Sequence, residues 1–223
     1  MDDQSWTVRY VVADTGSWLV SKRVLIAPEA LSEPDWAGMV FPVKITREQV
    51  ENSPDVDTAM PVSREKELEY RRHFRWPAYW PAPGIGQVTH PVPLGREGVV
   101  VAERPPKAPP EKKETSSHLR SISEVKGYGI MAVDGALGHV EDFVVDDETW
   151  AVRYLVVDTR NWLPGKKVLV ATDWIDWVSW EEKQVRIDLT RQQIQDAPEY
   201  DPRAPVNREY EVRLYDYYGR PMN

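Results

Sequence analysis

The segment Trp6-Thr7-Val8-Arg9-Tyr10-Val11-Val12-Ala13-Asp14-Thr15 returns as Trp150-Ala151-Val152-Arg153-Tyr154-Leu155-Val156-Val157-Asp158-Thr159, 144 residues downstream. The same register runs without a gap from Met1 to Tyr79 against Val145 to Asn223, with 27 identities in 79 positions. Many remaining differences are mild, such as Ile26/Val170 and Val50/Ile194. Self-similarity of this length marks a duplicated structural unit.

The second copy shows what one unit contains. Trp150, Val152, Tyr154 and Val156 alternate with Ala151, Arg153, Leu155 and Val157. Period two is a strand signature, and apolar residues on both faces predict a central strand. Asn161 to Gly165 reads as a turn, and further strands follow over Lys166 to Ala171, Asp173 to Trp180 and Val185 to Leu189. Upstream, Gly127 to Val145 reads as a strand, an Asp134-Gly135 turn and another strand. Thr190 with Gln193, and Thr46 with Gln49, fit capping boxes opening short helices before Pro198 and Pro54. Arg64 to Phe74 and Arg208 to Tyr218 read as second helices leading into aromatic tails. The expected class is all-β with short C-terminal helices, as two small antiparallel barrels, since closure removes exposed strand edges.

The first copy begins at Met1, opposite Val145, so the hairpin is missing from it. Either the first unit borrows strands from elsewhere, or Met1 is an internal methionine of a longer chain. Between the copies, residues 81–118 carry Pro81, Pro83, Pro91, Pro93, Pro105, Pro106, Pro109 and Pro110 and read as an extended linker. Within it, Gly98-Val99-Val100-Val101-Ala102 reads as a strand that would patch the first unit. The expected organisation is residues 1–80, a linker over 81–118, and residues 119–223.

The run from Asp134-Gly135 through Gly138-His139-Val140-Glu141-Asp142-Phe143, Val152-Arg153-Tyr154, Asp158-Thr159 and Lys167-Val168-Leu169-Val170 to Ala197-Pro198-Glu199-Tyr200-Asp201 resembles a PRC-barrel domain. The likeness covers about residues 125–201 in full and residues 1–57 without the first hairpin. It implies a six-stranded barrel of the kind found in the cytoplasmic part of the photosynthetic reaction-centre H subunit. A similar module ends a ribosome-maturation factor, where it binds a ribosomal protein. The resemblance carries fold well and function poorly.

Composition excludes several chemistries. The 223 residues contain no cysteine, which rules out disulfides, thiolate catalysis and cysteine-bound metal. The net charge of −8 disfavours a broad grip on phosphates; residues 1–80 hold 10 basic against 13 acidic groups, and residues 119–223 hold 13 against 19. No apolar run approaches the roughly 20 residues of a spanning helix, and the start is unlike a signal peptide, so a soluble cytoplasmic chain is expected.

His73, His90, His118 and His139 lack metal-ligand spacing, and no metal or other cofactor is expected. Asp2-Asp3 and Asp146-Asp147 read as turns, Asp14/Asp158 with Thr15/Thr159 as strand-end caps, and Arg9/Arg153 as meeting a neighbouring carboxylate or solvent. Gly84, Gly86, Gly127 and Gly129 sit in motifs too short to cradle a dinucleotide. Trp6/Trp150, Trp18/Trp162 and Trp36/Trp180 recur in both copies, as residues of core packing or of a contact between the barrels would. Trp76, Tyr79, Trp80, Tyr217 and Tyr218 lie beyond the strands beside prolines and are candidate partner-binding residues, because rigid rings bury area at low entropic cost; the alternative is that they fold back onto a barrel.

The functional expectation is a non-enzymatic protein-interaction or scaffolding module, with nucleic acid disfavoured. The open strand edge points to pairing between the units or with a second copy as a homodimer. One alternative is an adaptor in RNA processing or ribosome assembly. Another, implied by the resemblance, is a soluble relative of the H subunit, peripheral to a membrane-bound electron-transfer complex or active in stress response.

Overall fold

The strand expected over Trp150 to Val157 forms β5 (Val152–Asp158), buried along almost its whole length. The structure is a computed structural model that describes residues 1–16, 22–57, 61–80, 118–159 and 166–222. The expected strand at Gly98 to Ala102, the turn at Asn161 to Gly165, and Trp18, His90 and Trp162 lie outside the described residues.

Around β5 the second half builds a sheet from β3 (Gly129–Ala132), β4 (Gly135–Val145), β6 (Lys167–Ala171), β7 (Ile175–Ser179) and β8 (Gln184–Ile187). The order is β6-β5-β4-β3-β8-β7. The expected antiparallel arrangement holds except between β3 and β8, which run parallel. The chain reverses between β3 and β4, β4 and β5, β5 and β6, and β7 and β8. Between β6 and β7 it turns a corner through the 3-10 turn Thr172–Trp174, so β8 ends up running the same way as β3. The outer strands are β6 and β7, and no ladder joins them among the described residues, so the pairing shows a six-stranded mixed sheet and does not itself show the closure expected of a barrel.

The first half holds β1 (Val11–Asp14) paired with β2 (Arg23–Ile26), the helices α1 (Arg47–Glu51) and α2 (Arg64–Phe74), and isolated bridges Leu31↔Val43 and Asp35↔Val40. In the second half come α3 (Ile122–Val125), α4 (Arg191–Asp196) and α5 (Arg208–Tyr218). Local devices recur at the sequence offset. Thr46 with Gln49 and Thr190 with Gln193 both close capping boxes. Thr15 Oγ1 donates to Lys22 O at 2.9 Å, and Thr159 Oγ1 to Lys166 O at 2.8 Å. Tyr10 Oη donates to Glu67 Oε1 at 2.9 Å, and Tyr154 Oη to Glu211 Oε1 at 2.7 Å. The bridges Leu31↔Val43 and Asp35↔Val40 match the β7–β8 pairs Ile175↔Ile187 and Ser179↔Gln184.

The halves meet through equivalent residues. Val8 N donates to Trp150 O at 2.8 Å and Val152 N to Trp6 O at 2.7 Å, about the bridge Thr7↔Ala151. This is the reciprocal pattern of an isologous contact, here within one chain. Trp6 and Trp150 both hold left-handed backbone, with φ of 50° and 60°. Side chains cross the junction as well: Met1 and Val8 join the core of the second half, and Leu119 that of the first.

Candidate interaction surface

Several groups singled out for chemistry are engaged locally. Asp146 Oδ1 accepts from the amides of Glu148 and Thr149 and from Thr149 Oγ1, and Asp2 Oδ1 accepts from Gln4 and Ser5. Asp14 Oδ1 takes the Gly16 amide at 2.8 Å. The Thr15 and Thr159 hydroxyls donate to the carbonyls of Lys22 and Lys166, beside β2 and β6. His73 Nε2 lies 2.7 Å from Gln49 O, and His118 Nδ1 3.3 Å from Asp3. Arg9 reaches Ser5 and lies 4.0 Å over the Tyr79 ring. Among the described residues no group of His, Asp and Glu is placed to hold a metal ion.

The bonds from Thr149 hold the Asp146 carboxyl below the usual aspartate range. At Asp2 burial pushes the other way, and the amides of Ser5 and Gln4 outweigh it. A depressed carboxyl stabilises the fold fully above its unfolded pKa, about 4, and loses that contribution as pH falls through the folded value. Asp146→Ala is therefore expected to cost about 0.5–1 kcal/mol at neutral pH, a small amount because the turn faces water. Urea titrations from pH 6 to pH 2.5 should show the variant and parent converging in acid; a pH-independent gap would contradict the assignment.

The aromatic tails fold back. Trp76 stacks on Phe74 with centroids 4.5 Å apart. Arg64 lies 4.2 Å over Trp80, and Tyr79 covers Arg9 and Arg71. Tyr218 is buried against Trp174 at 4.6 Å, and burial raises its hydroxyl pKa. Tyr217 stays partly exposed, its hydroxyl donating to Gln193 O at 2.8 Å. The five candidates thus fall in two places, the first three around α2 and the last two on α5.

The apolar surface lies elsewhere. In the second half, the β3–β4 hairpin bridges β5 and β8: Val140 pairs with Val157, Phe143 with Leu155, and Ile130 with Val185. The first half has the equivalents of β5 and β8 without a hairpin between them. Val12 is 49% exposed where its counterpart Val156 is 3%, and Phe41 is 43% exposed where Val185 is 0%. Trp36 is exposed, whereas its counterpart Trp180 packs at 6.0 Å against Tyr128, which leads into the hairpin. Trp36 is therefore not packed in a core among the described residues, which corrects the core-packing reading of it. Met39, Val40 and Val43 extend the patch. Beside β1 opens a mainly apolar cavity of about 360 Å³, lined by Val8, Val11, Val12, Leu25 and Trp150 and, on the segment leading into α3, by Leu119, Arg120, Ser121 and Ser123 among others. Sequence reading recorded the missing hairpin but overlooked these residues, whose signal was the offset to buried Val156, Val185 and Ile187.

Residues 118–194 match the PRC-barrel domain family, which places one PRC-barrel domain over that stretch of the chain. The match spans β3 to β8 and the start of α4 and ends before α5. No curated protein matches the chain. No helix among the described residues is long and apolar enough to cross a membrane.

Proposed function

We propose that the chain is a non-enzymatic protein-interaction module of two PRC-type units, residues 1–80 and 119–223, with the first unit supplying the binding surface. The observation that carries this is the contrast between equivalent positions: residues buried under the hairpin in the second half are open in the first. A contiguous apolar patch of this kind marks a site that something covers. The net negative charge of both segments favours a polypeptide over RNA as that occupant.

The test compares the full chain with a Trp36→Ser/Met39→Ser/Phe41→Ser variant as immobilised bait for extracts of the source cells, quantified protein by protein. A protein held by the parent and reduced at least ~10-fold on the variant, yet retained by Tyr217→Ala, is the expected result, since central apolar anchors dominate binding. Equal retention on parent and variant would overturn the reading.

A further inference from the structure

We infer that the outer edge of β1 and the cavity beside it form a β-addition site for a β-hairpin of a partner polypeptide, patterned like Gly129–Val145. The inference rests on the interaction reading and names the chemistry of the occupant.

The backbone sets the mode. Thr15 N donates to Lys22 O, toward β2. Strand alternation then turns the amide and carbonyl of Val11 and Ala13 toward β2, and those of Val12 and Asp14 outward. On that outer side β1 has no ladder partner among the described residues, whereas β5 pairs there with β4 from Val145↔Val152 to His139↔Asp158. An apolar small molecule would fill the cavity and leave those edge groups unmet; a strand satisfies both.

The side chains set the pattern. Ile130, Leu137 and Val140 of the hairpin are buried in one core with Val152, Leu155, Val156 and Leu169, the counterparts of cavity residues Val8, Val11, Val12 and Leu25. A matching hairpin brings aliphatic residues at alternate positions into that cavity. Charge agrees. Gly129–Val145 contains Asp134, Glu141 and Asp142 and no Lys or Arg. Glu141 meets Lys167 at 2.7 Å, and the residue equivalent to Lys167 is the exposed cation Arg23.

The probe is a synthetic peptide of residues 125–145 titrated by calorimetry into the full-length chain. One peptide should bind per chain and raise Tm at saturation, while a scrambled peptide does neither. Val12→Pro, which removes an outward amide, should weaken binding at least ~10-fold. If Val12→Pro fails to fold by circular dichroism, Val12→Lys serves in its place. A Glu141→Lys peptide should bind several-fold worse to the parent and recover on Arg23→Glu. No binding to the parent would overturn the inference. So would binding only after Gly98-Val99-Val100-Val101-Ala102 is replaced by a Gly/Ser run, which would give the edge to the chain's own segment. A dimer that the peptide dissociates would give it to a second copy, and overturn it as well. Failure of the peptide, while the Trp36/Met39/Phe41 variant still loses its protein partner, would remove this inference and leave the interaction reading intact.

Discussion

Gly138→Ala is expected to destabilise the second half by about 3 kcal/mol or more, lowering Tm by roughly 6–12 °C. A β-carbon at Gly138 would stand 2.1 Å from the carbonyl oxygen of Asp158, 3.1 Å from its carbon and 3.2 Å from Thr159 Cα. All three are backbone atoms, so no rotamer change relieves the clash and β4 must separate from β5. Because β4 also carries the ladder to β3, the shift spreads through the sheet centre. Gly129→Ala is the control: its nearest neighbour, Gln184 Cγ, is 3.9 Å away at the end of a flexible chain, and an effect within about 0.5 kcal/mol is expected. Denaturant unfolding of both variants checks the pair, and equal stabilities would refute the packing described for β4 and β5.

Glu67→Ala is expected to cost about 3–5 kcal/mol, the range for removing one partner of a buried charge pair. Glu67 is 1% exposed and Arg71 4%, both on α2. The Glu67 carboxylate accepts from Tyr10 Oη and Arg64 Nη1, each at 2.9 Å, and lies 3.9 Å from Arg71 Nε. Arg71 also donates to Tyr10 Oη at 2.7 Å, to Glu29 at 2.9 Å and to Pro77 O. Deleting the carboxylate leaves the buried Tyr10 hydroxyl without its acceptor and removes one of the two carboxylates beside the buried Arg71 guanidinium. Glu67→Gln keeps an acceptor and should lose distinctly less. In the second half Tyr215 replaces Arg71, and Glu211 is 18% exposed at its side chain, so Glu211→Ala is expected to be milder. A Glu211→Ala loss equal to that of Glu67→Ala would show that the buried cation is not the cause.

Much of this fold is legible in the sequence because the duplication exposes it. Identities retained in both copies, such as Tyr10/Tyr154, Thr15/Thr159 and Glu67/Glu211, turn out to be hydrogen-bond partners holding strand to strand or strand to helix. Helix α2, helix α5 and both capping boxes follow from local chemistry. The parallel β3–β8 pair is not local: it depends on the corner at Thr172–Trp174, whose sequence differs from the equivalent Pro28–Ala30. Burial of Arg71 is equally hidden, since a charged helix residue is ordinarily solvated. The setting of the aromatic tails is hidden for a related reason. Arg9 lies 70 residues before Tyr79, and Arg64 and Arg71 sit on α2, yet the fold brings all three guanidinium groups to the rings of Tyr79 and Trp80. The patch at Trp36 and Phe41 is the converse, apolar residues whose counterparts, half-buried Trp180 and buried Val185, meet Tyr128 and the β3–β4 hairpin.

Residue-resolved amide hydrogen exchange on the full-length chain tests the open first unit most directly. The Val12 and Asp14 amides should exchange nearly as fast as unprotected ones, and Val156 should exchange only with opening of the second-half core, at least ~100-fold slower. Comparable protection of Val12 and Val156 in the unliganded chain would mean that the edge of β1 is already covered, and would contradict the account.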